Sequence, residues 1–335
     1  MSTPTRKVII SAFGDISNVN VEKTAIPDPP ASHVQVRTIY SGFSGADINM
    51  RLGRYPLQKQ APLTPGYSLV GQVTKNGPRS SQFSAGDLVA CLTVYDAEAD
   101  YVNLPEKYLI PVPGGTDLQQ ATALVLDWTT AYGLVMRAGK FASGQKVFVH
   151  GVSGAVGYAA MVLSQRLGAE VYGTCSEKNH PAIKAAGATP FTYINKDWMQ
   201  AMMDRGGADV VFDPLGFESW DESFSILNSK GHLVGYGGNL ATLNGQADRS
   251  VLWPTMKLLS RNLALWCGKK TTFYYITRDD KTFRPDLVRL FEMCRDGEIT
   301  VPIKAVFELD DIKKAHQSWS TSTGLGSFLI KVSDP

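Results

Sequence analysis

The stretch KVFVHGVSGAVGYAAMVLSQRLGAEVYG constrains this chain more than any other, because Gly151, Gly154 and Gly157 separate an apolar, β-branched run from a helix-like run. A glycine-rich turn between strand and helix lets backbone N–H groups and a helix N-terminus face an anion with no Cβ in the way. A P-loop would carry Lys and Ser/Thr directly after its last glycine, and Tyr158 and Ala159 stand there instead. Alone, a glycine triplet is also what tight strand–helix packing uses. Here a strand precedes it, a helix follows, and a second strand, EVYGT, comes where a βαβ unit requires one. The motif therefore reads as a dinucleotide turn, with Gly151, Ser153, Gly154, Ala155, Val156 and Gly157 against the cofactor.

An NAD site would end its second strand in Asp or Glu, which grips the ribose hydroxyls. This chain has Thr174, Cys175 and Ser176 there, followed by Glu177, Lys178 and Asn179. A carboxylate at the tip would repel a 2′-phosphate, whereas a small neutral tip with Thr174, Ser176 and Lys178 accepts one, so NADPH is the expected cofactor. Lys178 taken singly reads equally well as a solvated lysine at a helix start. Tyr193 either lies against the adenine-ribose end or is an ordinary strand aromatic.

At 335 residues the chain is long enough for two domains. A formal charge of +2 with no Lys/Arg block gives no support to a nucleic-acid or anionic-membrane partner. Apolar runs fall short of the ~18 residues that span a bilayer, and MSTPTRKVIISAFG has neither a signal h-region nor an Arg/Ser-rich presequence. Cys91, Cys175, Cys267 and Cys294 lie far apart with no CxxC, which suits free thiols in a reducing compartment, and a cytoplasmic location is expected. The first ~120 residues read as short strands broken by Pro and Gly. From about Ala121 helix and strand alternate, which predicts an α/β fold with a doubly wound parallel sheet, and after Gly268 a mixed tail follows. The expected domains are 123–269 for the dinucleotide and 1–122 with 270–335 for catalysis.

Several motifs in order, GADINMRLGRYP, LTPGYSLVGQV, FSAGDLVA, YLIPVPGG, GVSGAVG, GADVVFDPLG and KAVFELDDIKKAHQSW, make the chain resemble the medium-chain dehydrogenase/reductase superfamily along essentially its whole length. That resemblance implies a Rossmann domain joined to a GroES-like, mostly-β catalytic domain, and within the superfamily it is similar to the quinone oxidoreductase branch and the related enoyl reductases. Zinc enzymes of this superfamily hold a catalytic metal. Where their first Cys ligand would stand this chain has Ser44, where Gly-His-Glu would stand it has Gly66-Tyr67-Ser68, and where the second Cys would stand it has Leu126 or Asp127. Those side chains do not make a His/Cys set for zinc, and the four-cysteine structural lobe is missing after Cys91. No metal is expected.

Without a Lewis acid, reducing a plain ketone leaves the developing alkoxide poorly stabilised. A quinone or a conjugated alkene spreads that charge onto a phenolate or enolate. The expected reaction is therefore NADPH-dependent hydride transfer to a quinone, enone or enal, with an enoyl-thioester reductase as the alternative. From a different class, superfamily members with crystallin-like or membrane-trafficking roles leave open an NADPH-binding protein without turnover. The resemblance implies that Tyr55, in ADINMRLGRYP, is the proton donor, though a loop tyrosine that only walls the cleft fits the same place. Tyr67 is the other catalytic candidate, against simple core packing behind the turn. Ser44 and Trp253 are placed in the substrate pocket, Ser44 where quinone reductases often carry Asn, and Trp253 as part of an apolar lid or a dimer face. Asp47, placed there too, is expected to fix the loop. Thr130 is placed beside the nicotinamide, and Tyr236 and Gly237 of VGYGGN by its carboxamide. His150 reads as structural. A homodimer is expected through an edge strand in NLALWCG, Asn262 to Gly268.

Overall fold

The computed structural model describes residues 2–246, 249–264 and 267–335. The chain divides into one unit of Met1–Thr129, Thr277–Ser322 and Ser327–Pro335 and a second of Thr130–Ile276 with Thr323–Gly326. The sequence reading placed those breaks at 122/123 and 269/270.

In the first unit a seven-stranded, mostly antiparallel sheet is built around the long strand His33–Phe43. One edge of that strand pairs with Ser68–Asn76; the other is shared by Tyr101–Pro105 at its start and Ser327–Lys331 at its end. Among the described residues the only parallel pair in this sheet joins Ile303–Glu308 to Ser327–Lys331, so the C-terminal strands complete the N-terminal sheet. Alternation in the strands buries Val34, Val36, Leu69, Val89, Val102 and Leu104 in one cluster, as the period-2 pattern of strands requires. A separate hairpin pairs Ser2–Ile10 with Val19–Pro27.

The second unit is a six-stranded sheet in the spatial order Thr189–Phe191, Glu170–Thr174, Lys146–His150, Ala208–Asp213, Leu227–Gly235, Lys270–Phe273, parallel throughout. The two central strands, Lys146–His150 and Ala208–Asp213, are buried on both faces and therefore read as continuous apolar runs, KVFV and DVVF. Phe148, Trp198, Met202, Val211, Trp220 and Leu233 fill its core. Numbered along the chain the order is 3-2-1-4-5-6, so the strand direction of winding reverses between Lys146–His150 and Ala208–Asp213, which is where such sheets bind dinucleotides.

The expected edge strand in NLALWCG is corrected. Asn262 and Leu263 belong to a 3₁₀ turn, Arg261–Leu263, while Leu265 and Trp266 lie outside the described residues. The sixth strand is Lys270–Phe273, where Thr271, Thr272 and Phe273 supply the β-branched and aromatic side chains that strands favour. Asn262 serves this strand from outside it: its amide donates to the Thr271 carbonyl and its side-chain oxygen accepts the Thr271 N–H, both at 2.9 Å. Among the described residues no helix is long and apolar enough to cross a membrane.

Trp220 anchors the second unit. It is 2% exposed, its ring stands edge-on to Phe273 at 5.9 Å, and its indole N–H donates to the Asp213 carbonyl at 3.3 Å. Replacing it with alanine is expected to cost about 3–5 kcal/mol through lost burial and a residual cavity. Urea unfolding of Trp220→Ala checks this, and a loss under about 1 kcal/mol would show that the site collapses freely.

Candidate active site

In the first unit the segment from Ser44 to Tyr67 is organised by one buried carboxylate. Ser44 caps the helix Gly45–Arg51, its hydroxyl oxygen accepting the Ala46 N–H at 3.1 Å. Asp47 closes the capping box: its Oδ2 accepts the Ser44 N–H at 2.8 Å and the Ser44 hydroxyl at 3.2 Å. The other oxygen, Oδ1, accepts the Gly66 N–H at 3.2 Å. The start of the helix and the TPGY turn are therefore held to the same side chain, which is fully buried. Gly66 has φ +107°, and a Cβ there would lie 2.5 Å from the Glu98 nitrogen, so only glycine fits.

This arrangement brings the two candidate tyrosines together. The Tyr55 hydroxyl donates to the Tyr67 hydroxyl at 2.6 Å, and the rings meet edge to face with centroids 5.7 Å apart. Tyr67 is 3% exposed, and its carbonyl accepts the N–H groups of Thr93 at 2.8 Å and Val94 at 3.1 Å. Tyr55 is half-buried, and its N–H is fixed by the Gln58 side-chain oxygen at 2.8 Å.

Among the buried carboxyl groups of this unit, Asp47, Glu98 and Asp127 are the three whose ionisation burial most opposes. Burial pushes Asp47 up to about 6, opposed by its N–H and hydroxyl donors. Glu98 is fully buried, neither of its carboxyl oxygens has a hydrogen-bond partner, and burial followed by the Asp47 charge drives it well above the usual carboxylate range. Asp127 sits in the π-turn Leu124–Trp128, accepts the Ser327 hydroxyl at 2.6 Å, and is pushed to about 7 by burial with a smaller contribution from Asp47. Nothing in the sequence around DAEAD marked Glu98; a carboxyl becomes noticeable only when the fold closes over it. Among the described residues no group of three or more His, Cys, Asp or Glu side chains is placed to hold a metal ion.

In the second unit the glycine turn joins the strand Lys146–His150 to the helix Ala155–Arg166. Gly151 has φ +67°, and a Cβ on it would meet nothing within 4 Å, whereas a Cβ on Gly157 would lie 2.2 Å from the Gly151 carbonyl oxygen. Within the turn, Gly154 N–H donates to the Gly151 carbonyl at 2.9 Å and Val152 N–H to the Thr174 carbonyl at 2.9 Å. The amides of Ala155, Val156 and Gly157 open the helix, and helix-opening N–H groups are what an anion meets. The open face at Gly151 together with these amides fits a pyrophosphate. A further strip of chain packs on the turn: the Asn179 amide donates to the Ser153 hydroxyl at 3.0 Å and accepts the Gly324 N–H at 2.9 Å, while Gly326 N–H donates to the Ser153 carbonyl at 3.1 Å.

The other sequence candidates fall in different settings. Thr174 is 3% exposed, and its hydroxyl accepts the Gly151 N–H at 3.3 Å and meets a ring nitrogen of His150 at 3.1 Å, so it shapes the turn from within. Ser176 precedes a 3₁₀ turn, Glu177–Asn179, that carries Lys178 exposed. Tyr193 is 57% exposed. Thr130 is buried in the short helix Thr129–Gly133. Tyr236 donates its N–H to the Asp213 carbonyl at 3.1 Å, and Gly237 follows it in the same loop. Trp253 is 72% exposed on the helix Leu252–Ser260, among the exposed Leu252, Met256 and Leu259. Sequence reasoning overlooked Asn179 and the side chains that flank His150; the carboxylate closing the run ADVVFD was the available signal for the latter.

Two family models match the chain: the alcohol dehydrogenase GroES-like domain over residues 30–114 and the zinc-binding dehydrogenase over residues 186–328. The chain is 27% identical to the human synaptic vesicle membrane protein VAT-1 homolog over 97% of its own length and 86% of that protein. It is 28% identical to a probable quinone oxidoreductase of Schizosaccharomyces pombe, with 96% of each chain covered. In fold it matches the quinone oxidoreductase of Coxiella burnetii with a TM-score of 0.85 at 20% identity, covering 99% of this chain and 100% of the other.

Asp127 gives the site a measurable pH dependence. Its folded-state value is raised from 3.8 to about 7, so ionising it costs stability: the full stability is present below about pH 4 and is lost as pH rises through 7. Asp127→Asn keeps an acceptor for Ser327 and removes the charge. The unfolding free energy measured from pH 4 to pH 8 is expected to coincide with the parent at the acid end and exceed it at the basic end, by an upper bound of roughly 4 kcal/mol. A difference that does not grow with pH would mean that Asp127 ionises without penalty.

Proposed function

We propose that this chain, which belongs to the medium-chain dehydrogenase/reductase superfamily in its quinone oxidoreductase and enoyl reductase branch, is an NADPH-dependent reductase of quinones or of the activated C=C of α,β-unsaturated carbonyl compounds, working without a metal. The observation that carries the reading is the Tyr55–Tyr67 hydroxyl pair, a half-exposed phenol backed at 2.6 Å by a buried one. A metal-free site is supported by what occupies the places where zinc relatives carry ligands: Ser44 is bonded to Asp47, Tyr67 to Tyr55 and Asp127 to Ser327.

The nicotinamide supplies the hydride. Everything else falls to the chain. Hydride addition to the β-carbon of an enone leaves negative charge on the carbonyl oxygen and calls for a proton at the α-carbon. Tyr55 gives up its phenolic proton, and the Tyr67 hydroxyl, turning to donate, stabilises the phenolate left behind until solvent reprotonates it. Asp47 keeps both tyrosines in register through Ser44 and Gly66. In the second unit the amides of Ala155, Val156 and Gly157 would hold the pyrophosphate. Thr130, Tyr236 and Gly237 would line the nicotinamide end. The tip Thr174-Cys175-Ser176 carries no carboxylate, and Lys178 and Tyr193 are exposed beyond it, which favours a 2′-phosphate. Four free thiols, Cys91, Cys175, Cys267 and Cys294, favour a reducing compartment such as the cytoplasm. The exposed apolar side chains Leu252, Trp253, Met256 and Leu259 are the surface we assign to a second copy in a homodimer. A second reading, cofactor binding without turnover, draws on the relatives named as synaptic vesicle membrane proteins.

Loss of nicotinamide absorbance with NADPH or NADH and a panel of an ortho-quinone, a para-quinone, simple enones, an enal and an enoyl-CoA tests the proposal. Turnover with NADPH on a quinone or enone is expected, with enoyl-CoA as the preferred acceptor in the thioester alternative. Tyr55→Phe is expected to lower kcat on the enone roughly a hundredfold with the NADPH Kd within about twofold of the parent. Tight NADPH binding with no acceptor reduced would replace the enzyme by the binding protein.

A further inference from the structure

Behind the glycine turn of the second unit lies a buried file of polar side chains that the reaction does not use. Gly151 N–H donates to the Thr174 hydroxyl oxygen at 3.3 Å, and that oxygen lies 3.1 Å from His150 Nδ1. His150 Nε2 lies 3.0 Å from the Ser223 hydroxyl, which donates to Asp213 Oδ2 at 2.7 Å. Ser219 donates to the same oxygen at 2.7 Å, and Asp213 Oδ1 accepts the Leu215 N–H at 2.7 Å. The Asp213 carbonyl, finally, accepts the Tyr236 N–H at 3.1 Å. Each of the side chains Thr174, His150, Ser223, Ser219 and Asp213 is buried, none more than 3% exposed.

The protons in this file have one consistent arrangement. Ser223 spends its single hydrogen on the carboxylate, so it accepts from His150 Nε2–H. Nδ1 then carries no hydrogen and accepts from the Thr174 hydroxyl, whose oxygen accepts from Gly151. His150 is thereby a neutral imidazole in a fixed tautomer, and burial, which lowers its proton affinity against the opposing pull of Asp213 and Glu222, agrees with that. The groups facing it are Asp213 from its neighbouring strand, Glu222 and Ser223 from the helix Glu218–Ser225, with Glu222 paired to Lys196, Thr174 from the other neighbouring strand, and the uncharged Phe148 and Trp198 rings.

We infer that His150 is a positioning residue for the dinucleotide, joining the phosphate turn at Gly151 to the Asp213–Leu215 and Tyr236 backbone by one directional hydrogen-bond chain, so that the pyrophosphate and nicotinamide ends of the site are held in register from inside the protein. The inference rests on the cofactor role proposed for this turn. It has a consequence that simple packing lacks: cutting the chain at Ser223, a residue on a helix behind the sheet, loosens the turn at Gly151. Protonating His150 has the same effect, because an imidazolium cannot accept from Thr174 and the file must reverse or break.

Fluorescence titration of the full chain with NADPH and with 2′,5′-ADP, at pH values from 5.5 to 8, tests this on Thr174→Val, Thr174→Ser, Ser223→Ala and the Thr174→Val/Ser223→Ala double variant. Thr174→Val and Ser223→Ala are each expected to weaken both ligands about five- to tenfold, Thr174→Ser to stay within about twofold, and the double variant to be no weaker than the weaker single, since both cut one chain. Ser223→Ala binding within about twofold of the parent, or multiplicative losses in the double variant, overturns the inference while leaving the cofactor role standing. A parent protein that binds neither ligand overturns both.

Discussion

The second unit rests on a contact in which no side chain can take part. A Cβ on Gly157 would stand 2.2 Å from the Gly151 carbonyl oxygen, so the first turn of the helix Ala155–Arg166 lies directly on the strand end it follows. That approach sets the height of the helix N-terminus above the sheet, and with it the place where an anion can sit. The winding of the sheet around the Lys146–His150 and Ala208–Asp213 strands delivers the loops after both strands to the same end of the unit. Gly151 and Leu215 stand in those loops, joined through His150.

The first unit solves a different problem, namely how to keep long loops still without regular structure. It does so by burying charge-bearing groups and giving Asp47 enough donors to tolerate it. Asp47 with its N–H and hydroxyl donors is a fixed node, and Glu98, with no partner for either oxygen, is its counterpart: a carboxyl whose ionisation burial opposes. Asp47 fixes the turn that carries Tyr67 by accepting the Gly66 N–H, next to the Tyr55–Tyr67 pair. A tyrosine placed this way is supported by neighbours whose protonation depends on pH, so the pH response of the site need not report the phenol itself.

What the sequence revealed, and what it hid, follows from the range of the forces involved. The glycine turn and the doubly wound sheet were legible, because each leaves a local signature: glycines at fixed spacing or apolar runs of strand length. Asp47 was readable as the residue that fixes the loop, whereas Ser44 was read only as a pocket residue, and its capping role shows in the structure alone. The edge strand was misplaced because NLALWCG is more apolar than KTTF, and hydrophobicity says nothing of where an asparagine will bond. Thr174 was expected to face the cofactor since it ends a strand; its hydroxyl instead points to His150, a choice made by a ring two strands' width of sequence away. Glu98 and Ser223 carry no pattern at all, and only the closing of the fold gives them partners or withholds them.

Asn262 has a wider consequence. Its side chain presents one donor and one acceptor to Thr271 with the spacing of a peptide group, so the last strand of the sheet finds a substitute neighbour made from a single residue. An open strand edge is a template on which any extended polypeptide can grow. By standing in for a neighbouring strand at Thr271, Asn262 takes one peptide group of that edge out of reach of any incoming chain.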